Sequence, residues 1–203
     1  MKRVFLLLSL FCCASFCFTQ SKEQLQKLKN YEESGYFAID NGNIVVSKVI
    51  DSIGADKNEI YLRVKNYFTR AYGDANSVIQ TDEKASGLII GKGLYGNVYT
   101  HDYGLSGSIK YNAYHILRVD IKDGRVRIIC SVSSMEAKGD ISYKYDIVAY
   151  SPFTDKRIFG AYVYNKKHQV DAFFNLVEKM HTSIDSIEKS LKEGMLKSEN
   201  EDW

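Results

Sequence analysis

The sequence predicts an α+β protein: one curved antiparallel sheet of about five to seven strands, packed against one central helix and one long C-terminal helix. Three observations support this class. Residues 77–164 are rich in β-branched and aromatic side chains bounded by turn residues, which is typical of strands. Residues 56–73 and 170–191 instead repeat apolar side chains at helical spacing. Because short turns separate the strand segments, we expect antiparallel pairing.

The first residues predict export. Lys2 and Arg3 form a short basic segment, and an apolar run from Val4 to Phe18 follows, which is the layout of a secretory signal peptide. This run is shorter than the ~20 residues that cross a membrane as a helix. We expect cleavage before Gln20, while an uncleaved anchor and a lipidated cysteine are the alternatives. No later apolar stretch is as long, so we expect no transmembrane span after cleavage.

The rest of the chain predicts a single domain. We expect residues 1–19 to be the signal peptide, 20–195 one α+β domain and 196–203 a disordered tail. Removing the two basic residues of the leader leaves 25 basic and 25 acidic residues. This balance, without long blocks of like charge, predicts no nucleic-acid partner. Cys130 is the one cysteine that remains after the predicted signal peptide is removed, so we expect no disulfide within the exported chain. We expect the Cys130 thiol to be buried and unreactive.

The N-terminal half predicts a polar helix, a hairpin and then the central helix. Residues 21–33 have only a narrow apolar stripe, whereas 36–39 and 43–51 have the composition of strands joined by an Asn-Gly turn. Asp56, with a glutamate three residues later, predicts the cap of the central helix, and Gly73 predicts its end.

The clearest hairpin signal is the turn Lys122-Asp123-Gly124-Arg125 between two β-branched runs. An Asp-Gly pair in this position predicts a type I′ turn with positive φ at both central residues. Two further strands are expected in 141–150 and 157–165, on either side of Pro152.

The C-terminal helix carries an apolar side chain every three or four residues. A helix lying across a sheet explains this pattern. A coiled coil with a partner protein of the cell envelope is the alternative. The stripe consists of Val170, Phe173, Val177, Met180, Ile184, Ile187 and Leu191.

The stretch GKGLYGNV, residues 91–98, fits the glycine-rich loop that covers ATP in protein kinases. The residues after Gly96 indicate a strand, whereas a Rossmann loop opens a helix, and the sequence lacks the other kinase motifs. We therefore expect no nucleotide and no cofactor. Gly87, Gly91, Gly93 and Gly96 are interpreted as bends, bulges or close approaches of the backbone within a strand.

Three motifs together resemble a known family. They are EIYLRVKNYF at 59–68, VIQTDEKASGLIIGKG at 78–93 and KDGRVR at 122–127. They resemble the domain-of-unknown-function family four-four-six-eight, whose members are mostly exported proteins of Bacteroides-type bacteria with a TATA-binding-protein-like (TBP-like) fold. The resemblance covers about residues 44–135. It implies a curved sheet with helices and export, and it implies no activity or catalytic residue, since a fold does not specify a function.

One candidate site could support catalysis. His101 and Asp102 lie in a polar loop and could serve acid–base chemistry or bind a metal. A small periplasmic hydrolase or metal-dependent enzyme that uses these two residues is therefore the alternative function.

The other candidates favour binding. Arg125 and Arg127 alternate with apolar residues, so both point to the same face of a strand and could hold an anionic group. Tyr143 and Tyr145 alternate in the same way and could form part of a binding face. The leading prediction is a non-enzymatic binding or protein-interaction module, exported to the periplasm or cell surface of a Gram-negative bacterium.

Overall fold

The computed structural model describes most of the chain from the end of the first polar helix onward. The predicted signal peptide, the strand expected at 157–165 and the last five residues lie outside the described residues. The described residues are 23, 26–27, 30–139, 143–146 and 167–198.

The described residues form an antiparallel sheet with α-helices packed against it, and residues 30–33 are the described end of the first polar helix. The strands are β1 (Ala38–Asp40), β2 (Asn43–Ile50), β3 (Ile79–Glu83), β4 (Leu88–Asp102), β5 (Ser108–Lys122), β6 (Arg125–Val132), β7 (Ser134–Lys138) and β8 (Tyr143–Asp146). The helices are α1 (Lys57–Tyr72), α2 (Ala75–Val78) and α3 (Lys167–Ser198).

Six strands form the main path of the sheet in the order β1-β2-β6-β5-β4-β3, and β7 and β8 extend it from the first half of β5. All of these pairs are antiparallel. The predicted α+β class, with a curved antiparallel sheet and a long C-terminal helix, is confirmed. In the described parts of the chain, no helix contains an apolar stretch long enough to cross a membrane.

The central helix begins and ends where the sequence predicts. Asp56 is extended, and its carboxylate accepts a hydrogen bond from the backbone N–H of Glu59 at 2.9 Å. This bond satisfies one of the N–H groups that a helix leaves unpaired in its first turn. At the other end, the N–H of Gly73 donates to the carbonyl of Thr69 at 3.1 Å. The capping residues therefore fix both ends of α1.

The β5–β6 turn is where it was predicted, but the predicted type I′ geometry is wrong. Gly124 has a φ of 64°, while Asp123 is not among the residues with positive φ. The Asp123 carboxylate accepts the N–H of Lys57 at 2.9 Å, and Gly124 exchanges backbone hydrogen bonds with Ala55 and Ile53. The contacts with the loop before α1 thus determine the geometry of the turn. Local sequence preferences do not include such long-range contacts.

The long helix α3 packs its apolar stripe against the sheet. All seven stripe residues are buried in the core, from Val170 at the start to Leu191 near the end. The Ser183 hydroxyl lies 2.7 Å from the Tyr95 hydroxyl of β4, and Lys48 of β2 contacts Asp185 at 3.0 Å. The helix-on-sheet interpretation is correct, and the coiled-coil interpretation is wrong because the stripe is already buried within its own chain.

The glycines of GKGLYGNV allow aromatic rings to approach the strand. A Cβ atom on Gly93 would lie 2.5 Å from ring carbons of both His115 and Tyr72, closer than real Cβ contacts occur. Gly91 is similarly covered by the ring of Phe68. The motif therefore lies within β4 and pairs with β5, and Gly91 and Gly93 provide the close approach that the sequence predicts.

A β-bulge bends β4 just after these glycines. The pairing of β4 with β5 shifts register between Tyr95 and Tyr99, and Asn97 has a positive φ of 48°. Such a bulge increases the local twist of a strand. It therefore lets β4 and β5, 15 residues each, continue past α3 as one long curved hairpin.

Candidate functional site

The face of the sheet opposite α1 and α3 carries many exposed side chains, and we call it the outer face. Successive side chains of a strand point to opposite faces. In β5 the odd-numbered residues from Tyr111 to Ile121 are buried under the helices, while Tyr114, Ile116 and Arg118 are exposed. The two faces of β5 therefore have different roles.

The middle of the outer face, along β4 and β5, is apolar, and we call it the apolar zone. It consists of Leu94, Tyr114 and Ile116, whose exposed fractions are 50%, 52% and 46%. Leu94 is the cross-strand partner of Tyr114, and Lys92 is the partner of Ile116. The Lys92 ammonium lies 5.3 Å from the centre of the Tyr114 ring, within cation–π range.

Toward the β5–β6 turn the outer face is mostly cationic, and we call this part the basic zone: Arg118, Asp120, Lys122, Arg125 and Arg127. Register places Asp120 opposite Arg127 and Lys122 opposite Arg125. The predicted placement of both arginines on one face is confirmed by their exposure in β6. A depression of about 300 Å³ lies here, lined by Val49, Asp120, Lys122, Arg125 and Arg127.

Asp120 organises the centre of the basic zone. Its two oxygens accept hydrogen bonds from Arg118 at 2.8 and 3.0 Å and from Arg127 at 2.8 and 2.9 Å. Partial burial alone would raise the pKa of Asp120, but the hydrogen bonds from both guanidinium groups hold that pKa below its usual value. Asp120 thus remains ionised and orients two of the cations.

Arg125 is held more loosely. Its Nε lies 2.7 Å from a carboxylate oxygen of Asp51, and the two side chains are 59% and 61% exposed. Ion pairs this exposed contribute little to stability, about 0–1 kcal/mol. Arg125 can therefore exchange Asp51 for another anion at small energetic cost.

A polar cluster lies on the inner face, between the sheet and the helices. His115 is 1% exposed, its Nε2 lies 2.7 Å from the Tyr72 hydroxyl, and its ring stacks on Tyr95 at 3.8 Å. Among the described residues, its Nδ1 has no hydrogen-bond partner. Burial lowers the pKa of His115 to about 4, so the ring is neutral at neutral pH.

The same cluster contains the single cysteine of the domain. The Tyr95 hydroxyl lies 3.4 Å from Sγ of Cys130 and 2.7 Å from the Ser183 hydroxyl. Burial raises the pKa of Cys130 to about 12, so the thiol stays protonated at neutral pH. The predicted burial of Cys130 is confirmed, and the cluster stabilises the contact between β4, β6 and α3.

His101 and Asp102 lie at the far end of β4, beside the turn into β5. The Asp102 carboxylate accepts the N–H of Gly104 at 2.7 Å, and the His101 ring meets the edge of the Tyr103 ring at 4.4 Å. Across the described residues, no three His, Cys, Asp or Glu side chains come together as metal ligands. The observed contacts of Asp102 are those of a turn-stabilising side chain.

Tyr143 and Tyr145 lie in β8, opposite Ala137 and Met135 of β7. They are therefore on a different part of the sheet from the two arginines. Sequence reasoning did not single out Arg118 and Asp120. The alternation of charge at 118, 120 and 122, on the strand that pairs with the arginine strand, is the signal that could have found them.

Comparison with solved structures shows the fold. A crystal structure of a DUF4468 family protein from Bacteroides ovatus matches with a TM-score of 0.56 and 13% identity, covering 77% of this chain and 91% of that one. A TBP-like protein from Parabacteroides distasonis matches with a TM-score of 0.49 and 16% identity, covering 74% and 96%. At such identities the first likeness concerns the fold alone.

No curated protein matches the sequence. A family model does match, over residues 47–133. The resemblance indicated by the three motifs is thereby confirmed: this part of the chain is similar to the family described as a domain of unknown function (DUF4468) with a TBP-like fold.

Proposed function

We propose that this protein is an exported, non-enzymatic interaction module of the bacterial cell envelope, and that it binds its partner through the outer face of the sheet. One observation carries the proposal. Leu94, Tyr114 and Ile116 form a contiguous apolar zone that is about half exposed, on the face opposite both long helices. Contiguous exposed apolar side chains rimmed by polar ones are typical of interaction sites.

The composition of the outer face supports a protein partner. An antiparallel sheet with one solvated face is expected to place polar residues on that face. The outer face instead carries aliphatic residues, a tyrosine and arginines in the two zones. Tyrosine and arginine are enriched at protein interfaces. Tyr114 and Asp120 are six positions apart along β5, so the part of the face that joins the two zones is about 20 Å long at ~3.3 Å per residue. That length fits a small, specific interface.

The geometry favours binding over catalysis. The buried cluster around His115 lies inside the core, and Asp102 supports a turn. The depression in the basic zone lies on an open sheet face. Enzyme sites are usually enclosed pockets with converging polar groups. An open face with apolar and cationic zones suits a macromolecular partner better than a small substrate.

Export is supported by the basic residues and apolar run at the start of the sequence. Cell fractionation followed by intact-mass measurement tests it. We expect the protein in the envelope or periplasmic fraction, with a mass that corresponds to a chain starting at Gln20. An unprocessed chain in the cytoplasmic fraction would overturn this part of the proposal.

Site-specific photocrosslinking in the native host tests the binding surface. A photoreactive residue at position 116 should give a crosslink of one defined mass, which Tyr114→Ala should weaken. Leu62 provides the matched control, because it is an apolar residue of α1 that is 55% exposed but lies off the outer face. Equal crosslinking from positions 116 and 62, or none from either, would refute the proposed surface.

A further inference from the structure

We infer that the partner of the outer face is an acidic protein segment, which places carboxylates on the basic zone and apolar side chains on the apolar zone. This inference rests on the proposed function and goes beyond it by specifying the chemistry of the partner. It is carried by two adjacent zones of different character on one sheet face, the apolar zone in the middle of β5 and the basic zone next to it at the β5–β6 turn.

The two zones together have an excess of positive charge. With Lys92 and Asp51 at their edges, they present five basic side chains and two acidic ones, although the whole sequence has a formal net charge of only +2. A patch of one sign attracts and orients a partner of the opposite sign. The basic side chains are Lys92, Arg118, Lys122, Arg125 and Arg127, and the acidic ones are Asp51 and Asp120.

Not all of these cations are equally available. Arg118 and Arg127 already share the carboxylate of Asp120, which occupies two nitrogen donors of each guanidinium. Among the described residues, Arg125 contacts only the exposed carboxylate of Asp51, and Lys122 lies directly across the hairpin from it. Lys122 and Arg125 are therefore the first residues to contact an incoming carboxylate.

The apolar zone favours a protein segment over a nucleic acid. Binding to a nucleic acid depends on neutralising many phosphates at once. Two of the five cations here are engaged by Asp120, and Leu94 and Ile116 offer nothing to a phosphate. A second copy of this chain is also disfavoured, because apposing two outer faces would bring like charges together.

Peptide selection tests the inference. The protein purified from its host is used to select from a displayed library of random linear peptides, and selected peptides are then titrated by fluorescence anisotropy. We expect enrichment of Asp and Glu next to apolar residues. The double variant Lys122→Glu, Arg125→Glu should weaken binding on the order of tenfold at low salt, and less at high salt. Asp120→Asn should strengthen binding, because it frees two guanidinium groups.

The matched control is the double variant Arg70→Glu, Lys189→Glu, which makes the same change in net charge on exposed helix positions. It should leave peptide affinity within about twofold, since these charges lie off the outer face. Because all four substituted side chains are exposed, the variants should keep the wild-type circular dichroism spectrum and melting temperature.

Other outcomes would overturn the inference. Selected peptides without acidic residues would exclude an acidic partner, and so would acidic peptides whose affinity is unchanged by the charge reversal at 122 and 125. Photocrosslinking at position 116 would remain an independent test of the interaction module. Tighter binding of a single-stranded DNA probe would identify a nucleic-acid site instead. A chain truncated after Ser198 that binds the peptides tenfold more tightly would show that the chain's own C-terminal segment 199–203, with three acidic residues, is the occupant instead of a partner protein.

Discussion

Acidification should destabilise this protein through one buried histidine. The neutral imidazole of His115 fits the core, because its ring stacks on Tyr95 and one nitrogen contacts the Tyr72 hydroxyl. Protonation would place a charge in a site that is 1% exposed and where, among the described residues, Nδ1 has no hydrogen-bond partner. Burial therefore lowers the pKa of His115 to about 4 from the ordinary value of 6.5.

The direction and size of the effect follow from proton linkage. Between pH 6.5 and about 4, the unfolded chain binds a proton at this histidine and the folded chain does not. The free energy of unfolding therefore decreases as the pH falls through this window. One pKa unit corresponds to about 1.4 kcal/mol, so the full loss is about 3 kcal/mol. This is a large share of the ~5–15 kcal/mol that stabilises a typical domain.

Urea unfolding at a series of pH values from about 7.5 to about 4.5 measures this loss. We expect His115→Gln to remove most of the extra slope, because glutamine does not titrate. Tyr72→Phe should keep the slope, because the ring stays buried. Asp120 and Glu188, whose pKa values are lowered, contribute stability that is lost at still lower pH in all variants alike. Equal slopes for wild type and His115→Gln would refute the reasoning.

Three further predictions concern the core. Gly93→Ala should lower the free energy of unfolding by about 1–3 kcal/mol, because the added Cβ would overlap two buried rings. Gly96 has open space around it, so Gly96→Ala should change the free energy of unfolding little in the same urea titration. Arg63→Ala should cost about 2–4 kcal/mol, because its buried guanidinium donates to a carbonyl of α3, and exposed Arg70→Ala serves as the control in thermal unfolding. Cys130 should resist maleimide until urea unfolds the chain, and rapid labelling of the native protein would contradict its burial.

Elements that depend on neighbouring residues in the sequence could be predicted well. The cap at Asp56 and the buried stripe that ends at Leu191 require only contacts within a helix and its apolar face. The β5–β6 turn shows the limit of such reasoning. Its position follows from Asp123 and Gly124, but its geometry depends on Ala55 and Lys57, which are more than 60 residues away in the sequence and meet the turn only in the folded chain.

The candidate site shows the same division. Alternation along β6 was enough to place Arg125 and Arg127 on one face. It could not show that Arg127 is held by Asp120 while Arg125 is more available, because that difference depends on which residue of β5 lies opposite each arginine. Register is a property of the pair of strands, so no single segment encodes it.

Within β5, adjacent residues serve different requirements, because one set is buried under the helices and the other is exposed on the outer face. Replacing buried His115 or Leu117 would alter packing under the helices, so their identity follows from stability alone. Stability does not explain Tyr114 and Ile116, because an exposed apolar zone on a sheet gains little from folding and promotes association. A requirement for binding does explain them. Polar substitutions at 94 and 114 should therefore abolish crosslinking from a photoreactive residue at 116 while leaving the unfolding curve in place. Substitutions at 115 and 117 should shift the unfolding curve and leave the crosslinking intact. Loss of both properties together at 94 and 114 would mean that the outer face belongs to the core of the protein and not to an interface.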